Sequence, residues 1–331
     1  MSEQEQLEKL LAEGMANEEL EEAKVAGIDG HQEVSGGSET PPPEEADELA
    51  DGSEGSAGPG EVQPDEVYTE STEEAESGPD VEEVEGSAET YPESVCHEDF
   101  MEADEQFERV FGRDDRKRVY GTRSYPWRTI CKLEITAANG RRFGCSGAFI
   151  GPRTVLTNGH CVYLHDHGGW ARKIRVIPGM NGSAQPYAYA ESSFYHSVKG
   201  WTKSRSSNYD YAVIVLPSNK KLGNSVGWMG LANLSWTTLM GLRVNNSGYP
   251  GDKPYGTQWW NANNVMAVTS RRVYYRLDTY NGQSGSPVWR YRNGKRHIVA
   301  VHNTGGAVFN GSVRIVKPVF NNLVKWKNQY T

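Results

Sequence analysis

Two regimes of hydrophobic patterning divide the chain near residue 110. From Thr129 onward, short runs of β-branched and aromatic residues alternate with Gly, Pro and Asn, the signature of strands separated by tight turns. The pattern predicts strands at Thr129–Thr136, Phe143–Ile150, Lys173–Ile177, Tyr211–Leu216, Gly241–Ser247, Val265–Leu277, Pro287–Arg292, Ile298–His302 and Ser312–Val316, with a short apolar strand at Thr154–Leu156. Asn139-Gly140 and Asn293-Gly294 mark turns. Many short strands without intervening helical stretches predict an all-β barrel or sandwich. At the end, Val319, Phe320, Leu323, Val324 and Trp326 fall at helical spacing behind Pro318, which predicts a C-terminal helix reaching Gln329. No internal repeat of about 20–50 residues is visible.

Before residue 110 the apolar pattern is nearly gone. Pro41, Pro42 and Pro43 run together, Gly52–Gly60 is mostly small residues, and aromatics are almost absent before Tyr68. Such a stretch cannot bury enough apolar surface to offset its chain entropy, so residues 1–109 are expected to be mostly disordered. A short amphipathic helix around Leu7–Leu20 is the exception. Charge sharpens the division. Residues 1–109 hold 36 of the 44 acidic and 3 of the 34 basic residues, so their net charge is −33 against +23 for residues 110–331. Opposite charges of that size suit an acidic tail that keeps the chain soluble, or a pro-segment that shields its basic neighbour. Residues 110–331 can bury one or two cores, with a boundary expected near 220–240. No apolar run approaches the ~18–20 residues of a membrane span, so no membrane partner is expected. Arg271, Arg272, Arg290 and Arg292 would suit phosphates, but no recognition motif accompanies them, which argues against nucleic acid.

Three motifs carry the chemistry. Thr157-Asn158-Gly159-His160-Cys161 follows an apolar strand, Asp210 stands at the mouth of the buried run Tyr211–Leu216, and Ser284 lies in the glycine-flanked stretch Asn281-Gly282-Gln283-Ser284-Gly285-Ser286-Pro287. Singly, each has an ordinary reading: a core histidine, a turn cap, a loop serine. Together, in the order His, Asp, Ser, they fit a charge-relay constellation in the chain order of the trypsin-like proteases. A serine hydroxyl is a weak nucleophile near neutral pH and needs a base, the part expected of His160. Asp210 would fix the imidazole's tautomer and stabilise its charged form. Backbone N–H groups of Gly282 and Ser284 would face the developing oxyanion. His165-Asp166-His167 could offer metal ligands, but on a polar loop it reads as a solvated stretch. No metal and no cofactor is expected.

On these residues, the stretch 109–331 resembles the trypsin-like (chymotrypsin-fold) serine proteases, and more closely the bacterial-type glutamyl endopeptidases. Gly200-Trp201-Thr202, Tyr280–Pro287, Ala300–Gly306 and the helical Val319–Trp326 stretch add to the resemblance. It implies two antiparallel β-barrels with the site between them, His160 and Asp210 from the first and Ser284 from the second. It also implies a Cys145–Cys161 disulfide beside the catalytic histidine, and hence an oxidising, secreted setting. The N-terminus, however, lacks the basic start and apolar stretch of a standard secretory signal. Cys96 and Cys131 either pair, tethering a cleaved pro-segment, or remain thiols.

The resemblance further implies that Thr279 and His302 bind a substrate carboxylate, with Asn303, Thr304 and Gly305 as pocket wall. A hydroxyl and an imidazole both donate to a carboxylate, and charge-assisted bonds are about twice as strong as neutral ones. Protein or peptide substrates, acidic ones in particular, are the expected partners, together with the chain's own acidic segment. Asp278 would favour Lys or Arg if it faced the pocket; it is expected to be turned away or paired. Gln283 replaces the acid that in digestive relatives pairs with a freed amine. The stretch Arg109–Arg116 resembles the mature start of the glutamyl endopeptidases, which places processing near Glu108, Arg109 or Val110. Two other readings stay open: a trypsin-like protease of different specificity, and a non-catalytic binding module on the same fold.

Overall fold

The computed structural model describes residues 12, 15, 16, 18–36, 109–305 and 309–331. Within them the chain builds two large, mainly antiparallel sheets, beside a small hairpin of Tyr163–Leu164 with Gly169–Trp170. The first places its strands in the order Glu33–Gly36, Tyr195–Val198, Ala212–Val215, Thr154–Thr157, Arg142–Phe149, Ile130–Thr136, Lys173–Pro178, Ala190–Ser192. It curls into an open barrel around Leu133, Phe143, Phe149, Val155, Val176 and Ile214. The second runs Lys295–Thr304, Pro287–Arg292, Arg243–Gly248, Gln258–Val268, Arg272–Tyr275, Asn310–Arg314, and the last strand pairs back with the first. That closure leaves no free edge in the ring. Val244, Val265, Val273, Val288 and Val299 fill it. The predicted all-β, two-barrel architecture is the one observed.

Most predicted strands appear within two or three residues of their expected limits. Val265–Leu277 does not appear as one strand. It is two, Gln258–Val268 and Arg272–Tyr275, joined by a tight reversal in which the Thr269 N–H donates to the Arg272 carbonyl. Thr269-Ser270-Arg271 contains no Gly, Pro or Asn, so the turn left no mark in the pattern. Asn293-Gly294, by contrast, is a hairpin tip with positive φ at both residues, 51° and 77°, as an Asn-Gly turn favours.

The C-terminal helix Lys317–Gln329 follows the second barrel in sequence and reaches back to the first-barrel strand Thr154–Thr157. Val319, Leu323 and Trp326 join one apolar cluster with Leu156, Val213, Trp289 and Val301, each such side chain contributing about 1.5–3 kcal/mol by burial. Trp326 stacks on His196 with ring centroids 5.5 Å apart. This cluster joins residues of both barrels.

Part of the acidic segment, expected to be mostly disordered, packs against the domain. Residues 18–23 are helical, and Glu33–Gly36 extends the first sheet by pairing with Tyr195–Val198. The fit is close at Gly36, where a Cβ would lie 2.2 Å from the Trp170 indole. Glu21 accepts from the Ser207 N–H at 2.6 Å and Glu22 from the Tyr209 hydroxyl at 3.0 Å. Most of the helix expected around Leu7–Leu20 lies outside the described residues.

Candidate active site

The strand Thr154–Thr157 delivers the chain into a single helical turn, Gly159–Val162, that carries His160. The turn Ser207–Tyr209 delivers Asp210 just ahead of Ala212–Val215, which pairs with that same strand. The pairing brings the two side chains together. His160 Nδ1 lies 2.8 Å from Asp210 Oδ2, and the His160 backbone N–H donates to Oδ1 at 2.8 Å. The Asn158 amide donates to the Asp210 carbonyl at 2.9 Å, so both residues are fixed from one loop. Both are buried, at 7% and 2% exposure, while Ser284 is half-buried. The Cys145–Cys161 disulfide ties the His160 turn to the neighbouring strand Arg142–Phe149.

Ser284 sits in the turn that precedes Pro287–Arg292 of the second barrel. First-barrel Ser146 holds that turn: its N–H donates to the Ser284 carbonyl and its hydroxyl to the Gly282 carbonyl, each at 2.8 Å. The two barrels approach too closely here for a side chain at Gly285. A Cβ there would stand 2.3 Å from the Ser146 carbonyl oxygen, and φ is +84°, a conformation that glycine adopts without strain. The Gly285 N–H donates to the His302 carbonyl and the His302 N–H to the Ser286 carbonyl. These two bonds tie the serine turn to the His302 strand.

His302 and Thr279 are both fully buried. The Tyr275 hydroxyl lies 2.8 Å from His302 Nδ1 and also meets Ser312. The Thr279 hydroxyl accepts from Asn310 Nδ2 at 2.7 Å. Asn303, expected in the pocket wall, sends its amide to Asp210 Oδ2 at 3.1 Å and to the Ser207 carbonyl at 3.2 Å. Thr304 meets the Arg272 guanidinium. Gly305 is described, immediately before the undescribed residues 306–308.

The arm Arg109–Arg116 runs beside these residues. Its first carbonyl accepts from Thr279 N–H at 3.1 Å and Asn310 Nδ2 at 2.7 Å, while its N–H donates to Asn310 Oδ1. Val110 follows, half-buried. Asp278 takes the Phe111 N–H on one oxygen at 2.6 Å and the Asp115 N–H on the other at 2.9 Å. Burial raises the Asp278 carboxyl above its ordinary range, and nearby Asp115 adds to the rise against the pull of those two N–H groups. Glu108 and Cys96 lie outside the described residues. Cys131 is a free thiol, fully buried, and burial pushes its pKa well up.

Sequence reasoning missed Asn303 as a partner of Asp210, and Asn310 as the link between Arg109 and Thr279. Asn303 was read as pocket wall, and nothing in the sequence around Asn310 marks it as a site residue. In His165-Asp166-His167 the three side chains diverge, to the Trp201 carbonyl, to Arg205 and to Asn139.

Two consecutive antiparallel barrels, with a buried His–Asp pair from one meeting a glycine-flanked serine turn from the other, define a two-barrel serine protease. A family model described as Trypsin matches residues 118–326. The chain belongs to the trypsin family. A glutamyl endopeptidase of Bacillus licheniformis is 42% identical over 229 residues, covering 66% of this chain and 69% of that one. A Bacillus subtilis protein named extracellular metalloprotease is 40% identical over 222 residues, covering 66% and 70%. A solved structure of a Glu endopeptidase in complex with MPD superposes with a TM-score of 0.59 at 32% identity, covering 66% of this chain and 99% of the other.

Proposed function

We propose that this chain is the zymogen of a secreted serine endopeptidase that prefers Glu (or Asp) before the scissile peptide bond. His160 is the general base and then the acid, Asp210 orients it, and Ser284 is the nucleophile that forms the acyl-enzyme. Gly282 and Ser284 N–H groups bind the oxyanion. Thr279 and His302 receive the substrate carboxylate, with Thr304 and Gly305 beside them. Asn303 supports Asp210. Cleavage near Glu108, Arg109 or Val110 releases the active form.

The observation that carries the Glu preference is the occupation of Asp278. Both its oxygens are bonded to the backbone of the 109–116 arm, so the acid that would recruit Lys or Arg is already engaged. Tyr275 at Nδ1 fixes the His302 ring, and the domain's +23 charge draws acidic substrates at long range. The disulfide and the word extracellular in one relative's name support export. That relative's name also says metalloprotease. In this chain the cluster of potential metal ligands found among the described residues is Cys145, His160 and Cys161, two of them joined in the disulfide, a donor set that favours the serine reading.

Matched peptides with Glu, Asp, Gln, Lys or Phe before the scissile bond test the proposal. Processed protein is expected to prefer Glu. His302→Ala is expected to lower kcat/KM for the Glu peptide by about 10–100-fold, the worth of one charge-assisted bond, while the Gln peptide changes much less. An unchanged Glu/Gln ratio in His302→Ala would give the site a different specificity. Failure of a serine-directed phosphonate to label Ser284 would point to a binding module.

Residues 18–36 act in this reading as a docked part of the pro-segment. His31 lies against Tyr209, Tyr211 and Arg271. Burial, then the Arg271 charge, lower its pKa to about 4, opposed in part by Asp29 and Glu22. A depressed folded-state pKa means that docking is strongest above the unfolded value near 6.5 and weakens as pH falls toward 4. After processing, the segment is expected to co-elute with the domain at about pH 7.5 and to separate at about pH 4.5; His31→Asn is expected to flatten that response. Retention of the segment across this range would remove His31 from the role.

A further inference from the structure

A buried cation stands one residue from both oxyanion donors, and no step described so far uses it. Arg116 precedes the strand Lys117–Val119, and its guanidinium is fully shielded from solvent. Its Nε and Nη2 bond Asp114 at 2.9 and 2.8 Å. Both Nη atoms bond Asp252, Nη1 at 3.0 Å. With two carboxylates facing it, the charge is compensated, as burial requires. Nη1 has a further partner, the side-chain carbonyl of Gln283, at 3.2 Å.

Gln283 connects that cation to the serine turn. It is 1% exposed. Its carbonyl oxygen also accepts the Tyr280 N–H at 3.2 Å, and its amide nitrogen donates to Asn246 Oδ1 at 3.2 Å. The Gln283 side chain therefore bridges the start of the turn, the barrel wall and the guanidinium, while its backbone lies between the N–H groups of Gly282 and Ser284. Ser146 holds the same turn from the other side through the Gly282 and Ser284 carbonyls.

We propose that Arg116 is a positioning residue for the oxyanion hole, holding the Gly282 and Ser284 N–H groups in place through the Gln283 carboxamide. The contact is made by a side chain inside the chain and does not depend on a free amine at residue 109 or 110. The 109–119 arm thus has two tasks. Its backbone occupies Asp278 beside the pocket, and its arginine organises the turn. This extends the proposed serine mechanism but not the Glu preference.

Hydrogen bonds aimed at an oxyanion act on charge that develops in the transition state, so their loss lowers kcat more than it raises KM. The test uses processed enzyme, counted by active-site titration, on whichever peptide of the panel the parent cuts best. A protein that cuts none of the peptides counts against the serine-protease reading, whereas loss of Glu preference alone leaves this test intact. Gln283→Met severs the link and leaves the Arg116–Asp114–Asp252 cluster in place. It is expected to lower kcat per titrated site by about 10–100-fold, part of the ~10²–10³ carried by a whole oxyanion donor, with KM within about threefold. Gln283→Glu, which keeps an acceptor for Arg116 and for the Tyr280 N–H, is expected to retain more kcat than Gln283→Met. Arg116→Lys is expected to fall between parent and Gln283→Met, since an ammonium lacks the planar fork. The Arg116→Lys/Gln283→Met double variant is expected to match Gln283→Met alone, because both changes cut one path. A kcat per site within about twofold of the parent in Gln283→Met, or full additivity in the double variant, overturns the proposal and leaves Arg116 a purely structural charge cluster.

Discussion

Ser284→Ala is expected to reduce peptide hydrolysis by about 10⁶-fold, the largest single effect at this site. In the proposed mechanism this hydroxyl makes the bond to the substrate carbonyl, and alanine offers no group to replace it. The other members act on that oxygen or on the charge it creates, so removing any of them on top of Ser284 is expected to cost little more. The fold should not suffer. Ser284 holds its place through backbone, the Ser146 N–H on its carbonyl and the Gly285 N–H on the His302 carbonyl, and alanine preserves both. The melting temperature should therefore stay near that of the parent while hydrolysis and phosphonate labelling vanish together. Substantial residual cutting by Ser284→Ala, once contaminating protease is excluded with the same reagent, would mean that another group performs the attack.

How much of this was legible in the sequence depends on the range of the interaction. The barrels were readable because alternation and turn residues are local: Pro287–Arg292 begins and ends where its pattern does. The reversal at Thr269–Arg271 was not, because a hydrogen-bonded turn can form without turn-favouring residues. His160 and Asp210 stood out by motif, and the geometry brings them to 2.8 Å. The supporting groups were hidden for the opposite reason. Asn303, Asn310 and Arg116 act on residues 93, 31 and 167 positions away, and a single asparagine or arginine carries no mark of a partner so distant. The ordered 18–36 segment was hidden by its company. Its apolar residues are few, and its docking relies on strand pairing and on carboxylates that meet Ser207, Tyr209 and Lys325. Composition alone counted those carboxylates as solvated charge.

Asp210→Asn is expected to lower kcat by about 10⁴-fold near neutral pH with the site geometry nearly unchanged. The argument rests on which proton faces which lone pair. Asp210 Oδ2 faces His160 Nδ1 and also accepts from the Asn303 amide, while Oδ1 accepts the His160 backbone N–H. A carboxylate can accept all three, which keeps the imidazole proton on Nδ1 and leaves Nε2 unprotonated for its proposed role as base toward Ser284. An asparagine must offer one oxygen and one NH₂. With its oxygen kept on the His160 N–H, the NH₂ faces both Nδ1 and the Asn303 amide. Nδ1 then becomes an acceptor, the proton moves to Nε2, and the base is lost. With the amide reversed, its NH₂ opposes the His160 N–H instead, and one buried donor goes unsatisfied at about 1–3 kcal/mol. Either arrangement also loses the negative charge that stabilises the imidazolium as it forms. The loss should fall on kcat, with substrate binding little affected and with Ser284 labelling slowed in the same proportion. Asn303→Ala offers an internal comparison, since it removes one donor to Oδ2 but leaves the carboxylate. Its effect should be far smaller than that of Asp210→Asn, and equal losses in the two variants would shift the orienting role from the charge of Asp210 to the hydrogen-bond network around it.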